Sequence, residues 1–289
     1  MKKKIKGYIK ILRPRAWTKN LFIFGAILFA NKFFDAQLVL RNITGFFVFC
    51  FLSGTVYILN DYMDAKLDRL DPNKCTRPIA AGTISKTGAL IFFFILVTLS
   101  LGAAYYLDHK FFYLSISYLA INIAYSTYLK RVVLIDIIIV SFGFFIRALA
   151  GAFIINTPPS LWFLVTTFFL ASLLATSKRR FEFLLFADKE PDKKKAVLND
   201  YSERLLDQMI SISATASVLS YSIYTITGAL IHKLVWTIPL VLYGIFRYLY
   251  IVYKKGEGGS PEKVFLNDPH ILGTVGIFGL MVAAIFVYF

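Results

Sequence analysis

The sequence predicts an all-α polytopic membrane protein, a bundle of nine transmembrane helices. Three observations predict it: long apolar runs, scarce charge, and basic residues confined to one set of loops. Of 289 residues, 57% are hydrophobic and only 17% charged, with a mean hydropathy of +0.64. A water-soluble domain of this size would need far more polar surface, so a soluble globular protein is excluded. Most of the apolar runs approach the roughly 20 residues that a helix needs to cross a bilayer.

Taken in order, the runs place spans at 20–38, 43–60, 88–107, 111–129, 133–155, 161–177, 209–229, 234–253 and 271–289. The first is the least clean, because Asn31, Lys32 and Asp35 interrupt it. Nine spans leave segments 1–19, 61–87, 130–132, 178–208 and 254–270 on one side, and these hold 26 of the 32 Lys and Arg. The opposite connections carry only Lys32, Arg41, Lys110 and Lys233. Such a bias places the N-terminus in the cytoplasm and the C-terminus outside, in a cell membrane. The basic N-terminal segment lacks a small-residue cleavage site and reads as retained rather than as a removed signal. Residues 1–289 form one transmembrane domain, with long inner loops at 61–87, 178–208 and 254–270. A passive bundle does not require such loops, so function is expected on the inner face. Pro158 and Pro159 mark an outer turn; Gly256, Gly258 and Gly259 mark an inner loop.

The formal charge of +15 would raise nucleic acid as a partner of a soluble protein. In a membrane protein it reports orientation and contact with anionic headgroups or phosphates. Cys50 in an apolar run and Cys75 in a polar loop form neither a disulfide scaffold nor a metal cluster. His109, His232 and His270 are scattered, and no P-loop, dinucleotide fingerprint or nucleophile elbow is present.

The richest stretch is YILNDYMDAKLDRLDPNKCTRPIAAG, residues 57–82. Asp61, Asp64 and Asp68 are spaced i, i+3, i+7, on one face of a helix leaving the second span. Close carboxylates repel unless a cation neutralises them, and oxygen ligands so arranged suit Mg²⁺ bridging to a substrate phosphate. Asn60 and Asp71 are placed to join them. Lys74 and Arg77 follow, suited to phosphate oxygens. The plainer account is a solvated loop. Against it, the acidic residues collected at one membrane exit oppose the basic bias of the rest of that face.

NDxxDxxxD followed by RPxxxG resembles the first aspartate-rich motif of the UbiA superfamily of membrane prenyltransferases. The resemblance implies a nine-helix bundle with a cytoplasmic-side cavity in which Mg²⁺ holds a diphosphate leaving group. A second acidic motif is expected in loop 178–208, where Asp200, Glu203 and Asp207 repeat the i, i+3, i+7 spacing. Asp207 is its best representative, although the pattern departs from a plain DxxxD and leaves a second metal site open. The plainer account is an amphipathic helix laced by Asp200 and Arg204. The run Lys193–Lys195 is expected to meet headgroups or water.

Lys178 and Glu182 lie i, i+4, with Arg179 beside them, and an ion pair is the plainer account of Glu182. Tyr125, Lys130 and Arg131 close the fourth span. Asp136 and Arg147, eleven residues apart, share nearly one helical face; charge inside a span is costly and lines a cavity or pairs.

Further stretches resemble the branch of the superfamily that transfers phosphoribosyl groups: RPRAWTKN (13–20), YSTYLKRVVLID (125–136), GFFIRALAG (143–151), SKRRFE (177–182) and GGSPEKVFLND (258–268). That branch implies phosphoribosyl pyrophosphate (PRPP) as donor and a polyprenyl phosphate of the decaprenyl type as acceptor. Metal ligands would be Asp61, Asp64 and Asp68, with Arg77 and Lys74 on the departing diphosphate. Substrate contacts would come from Arg15, Lys19, Asn60, Tyr125, Lys130, Arg147, Lys178, Arg179, Glu182 and Asp207. The alternative is prenyl transfer from a polyprenyl diphosphate to an aromatic acceptor. A transporter would need charges along a route across the membrane, whereas here they gather on one side.

Overall fold

Caps and backbone reversals set where the helices begin and end. In the computed structural model, which describes residues 2–71, 74–186, 196–228 and 232–288, every regular element is helical. Asp35 opens the longest helix, α3 (Ala36–Met63), its carboxylate accepting from Gln37 N at 2.9 Å and Leu38 N at 3.1 Å. Ser85 caps α5 (Lys86–Leu107), Ser160 caps α8 (Leu161–Leu185) and Ser202 caps α9 (Glu203–Ile223). Each satisfies an amide that the first helical turn leaves without a partner. Asn156, at φ 47°, ends the run of α7 (Ile135–Ile154), and Pro158–Pro159 follow.

The remaining helices are α1 (Lys2–Ile11), α2 (Phe24–Phe29), α4 (Ala65–Asp68), α6 (His109–Thr127), α10 (Ile238–Tyr250), α11 (Pro261–Asn267) and α12 (Pro269–Tyr288), with a 3₁₀ segment at Pro14–Ile23. Among the described residues, seven helices are long and apolar enough to cross a membrane: α3, α5, α7, α8, Glu203–Thr227, His232–Lys255 and α12. Their outer faces are apolar: on α5, Phe94 is 59% and Leu99 65% exposed. Surface of that kind fits lipid as the surrounding solvent. The fold is therefore a polytopic, all-α membrane fold.

Two expected spans differ. Segment 20–38 is not one helix: the 3₁₀ segment runs into α2, Asn31 turns the chain at φ 53°, and residues 36–38 already belong to α3. The physical reason is the Asp35 cap, which starts a new helix at one of the polar residues that interrupt the apolar run. The fourth expected span is helical as α6, but with His109, Lys110 and Asn122 in it α6 is not among the seven.

The chain divides into two compact units. The first comprises Met1–Leu28, Lys32–Thr127 and Ile146–Thr157. Its core gathers Ile11, Leu12, Ile58, Ile79 and Ile84. Gly151 lies so close to the Ile23 carbonyl that a Cβ there would collide with it, which lets the end of α7 press on the 3₁₀ segment. Arg41 donates to the Leu107 carbonyl at 2.6 Å and the Ile154 carbonyl at 3.0 Å, closing two helix ends. The second unit comprises Phe29–Asn31, Tyr128–Phe145 and Pro158–Phe289. Its main core joins Leu173, Ile210, Ile251, Val264 and Ile271; a smaller one joins Ile137, Val197, Tyr201 and Leu206.

Candidate active site

In the first unit, α3 ends at Met63 and the chain continues through Asp64 into α4, so the helical path bends but keeps its hydrogen bonds: Asp64 N to Asn60 O and Asp68 N to Asp64 O, both 2.9 Å. Asp61 and Asp68 thereby fall on one side and converge on a single nitrogen. Arg77 Nη1 lies 3.2 Å from Asp61 Oδ1 and 2.8 Å from Asp68 Oδ2. Both carboxylates are nearly sealed from solvent, at 2% and 4% exposure. Asp61 Oδ1 also accepts from Arg13 Nη2 at 2.5 Å. Two buried negative charges are thus matched by two guanidinium groups, which is what low-dielectric surroundings demand.

Asp64 is half-buried and stands outside this knot. Lys74 pairs with Asp71 at 3.0 Å. Among the described residues no three His, Cys, Asp or Glu side chains stand together as a ready-made cation cage. The donor set nevertheless suits a divalent ion that takes one or two carboxylates and completes its shell with phosphate and water, as Mg²⁺ does. Asp61 and Asp68 already share one cationic nitrogen.

Arg13 was not expected among the site residues. Arg15, two positions on, is exposed, whereas Arg13 adopts a left-handed backbone (φ 49°) that turns it onto Asp61, with its guanidinium 4.5 Å from the Tyr57 ring centroid. Composition gives no sign of this; the Pro14 that follows is the only local hint of a turn.

Lys19 is half-buried. The next residue, Asn20, is fully buried; its Oδ1 accepts from Arg147 Nε at 2.7 Å, and its Nδ2 lies 3.3 Å from Cys50 Sγ. Arg147 Nη2 donates to Tyr118 Oη at 2.7 Å. The intramembrane arginine is therefore buried in a polar nest within the first unit. Tyr125 is half-buried on α6.

In the second unit, Asp136 is fully buried and forms an ion pair with Arg179. Arg179 also bonds Glu182 at 2.6 Å. Tyr201 Oη donates to Asp136 Oδ1 at 2.7 Å and accepts from Leu134 N at 2.8 Å. Burial pushes the Tyr201 phenol well above its usual range, and the hydrogen bond to Asp136 adds to that, so it stays a donor. Arg179 is committed to two carboxylates; Lys178 beside it is exposed and Lys130 half-buried.

The expected acidic face of this unit is corrected. Asp200 ends a 3₁₀ segment, and α9 begins only at Glu203, after the Ser202 cap. Asp200 is therefore not on the helix that carries Glu203 and Asp207. These two instead share Arg180, whose Nη2 lies 2.7 Å from Glu203 Oε1 and whose Nε lies 2.6 Å from Asp207 Oδ1. Tyr253 Oη donates to the same Asp207 oxygen at 3.0 Å. The Lys193–Lys195 run lies outside the described residues.

The segment GGSPEKVFLND has a structural part to play. Gly258 and Gly259 pack flush on α8, where a Cβ would meet the Ser177 carbonyl and the Phe181 ring. Asp268 caps α12 through Ile271 N at 3.1 Å and is held by Arg247 at 2.9 Å. The hydrogen bond from Arg247 keeps the Asp268 carboxyl well below the usual carboxylate range.

Each unit carries buried, arginine-matched carboxylates, within a polytopic all-α membrane fold. A model described as the UbiA prenyltransferase family matches residues 21–268, and the chain belongs to that family. It is 32% identical over 295 residues to a decaprenyl-phosphate phosphoribosyltransferase of Mycolicibacterium smegmatis, spanning 94% of this chain and 92% of the relative. It is 31% identical to a protein of the same name from Corynebacterium glutamicum, over 96% of this chain and 86% of the relative. Its fold matches the structure of a UbiA homolog from Archaeoglobus fulgidus bound to GPP and Mg²⁺, with a TM-score of 0.73 at 21% identity, covering 97% and 98% of the two chains.

Proposed function

We propose that this enzyme transfers the 5-phosphoribosyl group of PRPP to a polyprenyl phosphate of the decaprenyl type, with Mg²⁺ as cofactor and at the cytoplasmic face of the cell membrane. The observation that carries the reading is the convergence of Asp61 and Asp68 on Arg77 in a chain so similar, end to end, to decaprenyl-phosphate phosphoribosyltransferases.

An oxygen of the lipid phosphate attacks the anomeric carbon of PRPP; the bond from that carbon to the diphosphate oxygen breaks, and diphosphate leaves. The attacking oxygen is already anionic, so no general base is required. Asp61, Asp68 and, from its half-buried position, Asp64 would hold Mg²⁺, which supplies charge neutralisation to the departing diphosphate. Arg77 and Lys74 then turn from their carboxylate partners to the diphosphate oxygens, stabilising charge as it develops. Arg13 holds Asp61 in place. Lys130 and Lys178 suit the 5-phosphate and the lipid phosphate. Asn60, Tyr125, Arg15, Lys19 and Arg147 complete the polar contacts, Arg179 and Glu182 hold their loops, and Asp207 suits the ribose hydroxyls.

The reading keeps nine crossings. The 3₁₀ segment and α2 together reach about 29 Å at roughly 2.0 and 1.5 Å per residue, and α6 reaches about 28 Å; each is close to the roughly 30 Å hydrocarbon core. The N-terminus is then cytoplasmic, as the 26 inner Lys and Arg favour.

The test is reconstituted protein with Mg²⁺, radiolabelled PRPP and decaprenyl phosphate, following label into the organic phase. EDTA-sensitive transfer is expected. Well-folded protein that transfers no label to polyprenyl phosphates of any length, yet consumes a prenyl diphosphate with an aromatic acceptor, would overturn the reading.

A further inference from the structure

The first helix is unlike the others. Half of the ten residues of α1, KKKIKGYIKI, are lysine, and no acidic residue precedes Asp35. One face is docked: Gly7 sits so close to Thr83 and Ile84 that a Cβ would lie 3.1 Å from Thr83 Cγ2, Tyr8 packs edge-on against Phe92, and Ile11 is 1% exposed. The opposite face carries Ile5, 52% exposed, and Ile9, 55% exposed, one turn apart, with Lys6 and Lys10 exposed beside them. An apolar stripe bordered by lysines and free of acids is the pattern of a helix lying in a membrane interface.

We propose that this outward face of α1 seats on anionic phospholipid headgroups of the bilayer, with Ile5 and Ile9 in the acyl boundary and Lys6 among the phosphates. Charge complementarity selects that occupant. Lysines near an acidic leaflet attract its headgroups, whereas a second copy of this chain would present the same basic face and be repelled. The seat bears on the candidate site through the chain itself. Lys10 Nζ donates to the Thr76 carbonyl at 2.8 Å, one residue before Arg77. Two residues after α1 ends, Arg13 takes its left-handed turn onto Asp61. A left-handed backbone at a non-glycine residue is held only where its surroundings enforce it. Here α1 fixes one side of the turn and the 3₁₀ segment the other. The proposal stands whichever group the enzyme transfers.

The experiment is depth-dependent fluorescence quenching of full-length I9W in vesicles, with wild-type protein giving the background from the native tryptophans. Brominated phosphatidylglycerol and brominated phosphatidylcholine are compared at equal mole fraction. The emission added by I9W is expected to be quenched by both, and roughly twofold more by the anionic lipid. Lys6→Glu in the I9W background should erase that preference without changing the thermal melt in detergent. No quenching by either lipid would overturn the interfacial seat, and equal quenching would overturn the anionic selection. Ile5→Trp repeats the measurement one turn earlier should I9W fail to fold.

Discussion

Asp61 and Asp68 in the first unit, and Glu203 and Asp207 in the second, each straddle one arginine, but the first pair is sealed from solvent and the second is open to it. Exposure is 2% and 4% for the first pair against 49% and 37% for the second. The sequence triads share one spacing, but the bonded pairs lie seven residues apart in the first unit and four in the second, and they differ most in burial. A buried carboxylate pair is held at the expense of desolvation and must be matched by cations in close contact. An exposed pair is screened by water, and its loss is felt far less. The first cluster is therefore the one we propose to take the multivalent ligand, while the second ties α8 to α9 and leaves Asp207 exposed enough for the ribose contact proposed for it.

The comparison breaks most visibly in activity. Asp61→Asn removes the carboxylate that both Arg13 and Arg77 contact, and should lower Mg²⁺-dependent transfer by roughly 100-fold or more, while the variant still elutes as folded protein in detergent. Asp207→Asn should cost under about 10-fold. Equal losses in the labelled-PRPP assay would abolish the distinction between the clusters.

Stability sharpens the same contrast. Arg77→Gln leaves buried Asp68 without its cation and Asp61 with Arg13 alone, and should lower stability by about 3 kcal/mol. Arg180→Gln leaves two solvated carboxylates and should lower it by about 1 kcal/mol. Thermal melts in one detergent compare them directly.

Tyr201→Phe tests whether burial rather than location decides. It deletes the donor to fully buried Asp136 and the acceptor for Leu134 N, and should cost about 1 to 3 kcal/mol, more than Arg180→Gln although both lie in the second unit.

The smallest effect concerns pH. The folded Asp268 carboxyl titrates below its unfolded value, so its contribution is complete above the unfolded carboxylate pKa, about 3.9, and is lost as pH falls toward the folded one. Wild type should therefore melt above D268N at pH 6, the gap closing progressively as pH falls below about 4. A gap that is constant with pH would show that folding does not lower the Asp268 carboxyl.

Much of this was legible in the chain. Asp61, Asp68 and Arg77 were marked by their spacing at a membrane exit, because a helix converts i, i+7 into one face. Arg13 and Tyr201 were not. Arg13 depends on a backbone reversal at a single residue, and Tyr201 on a long-range bond to a carboxylate 65 positions away. Asp200 was misplaced because spacing alone does not register that Ser202 starts a new helix. The first span was overextended for the same reason at Asp35.

By itself the sequence determined that the chain is an α-helical membrane protein, which of its connecting segments carry the charge, and the family to which its first acidic motif belongs. Those properties follow from local composition and from the period of the helix, both of which act along the chain. Only the tertiary structure decided which carboxylates are buried, which arginine answers each, and that Arg179 is spent on Asp136 and Glu182. Burial and ion pairing are relations between segments distant in sequence, and their energies depend on how much water remains between them.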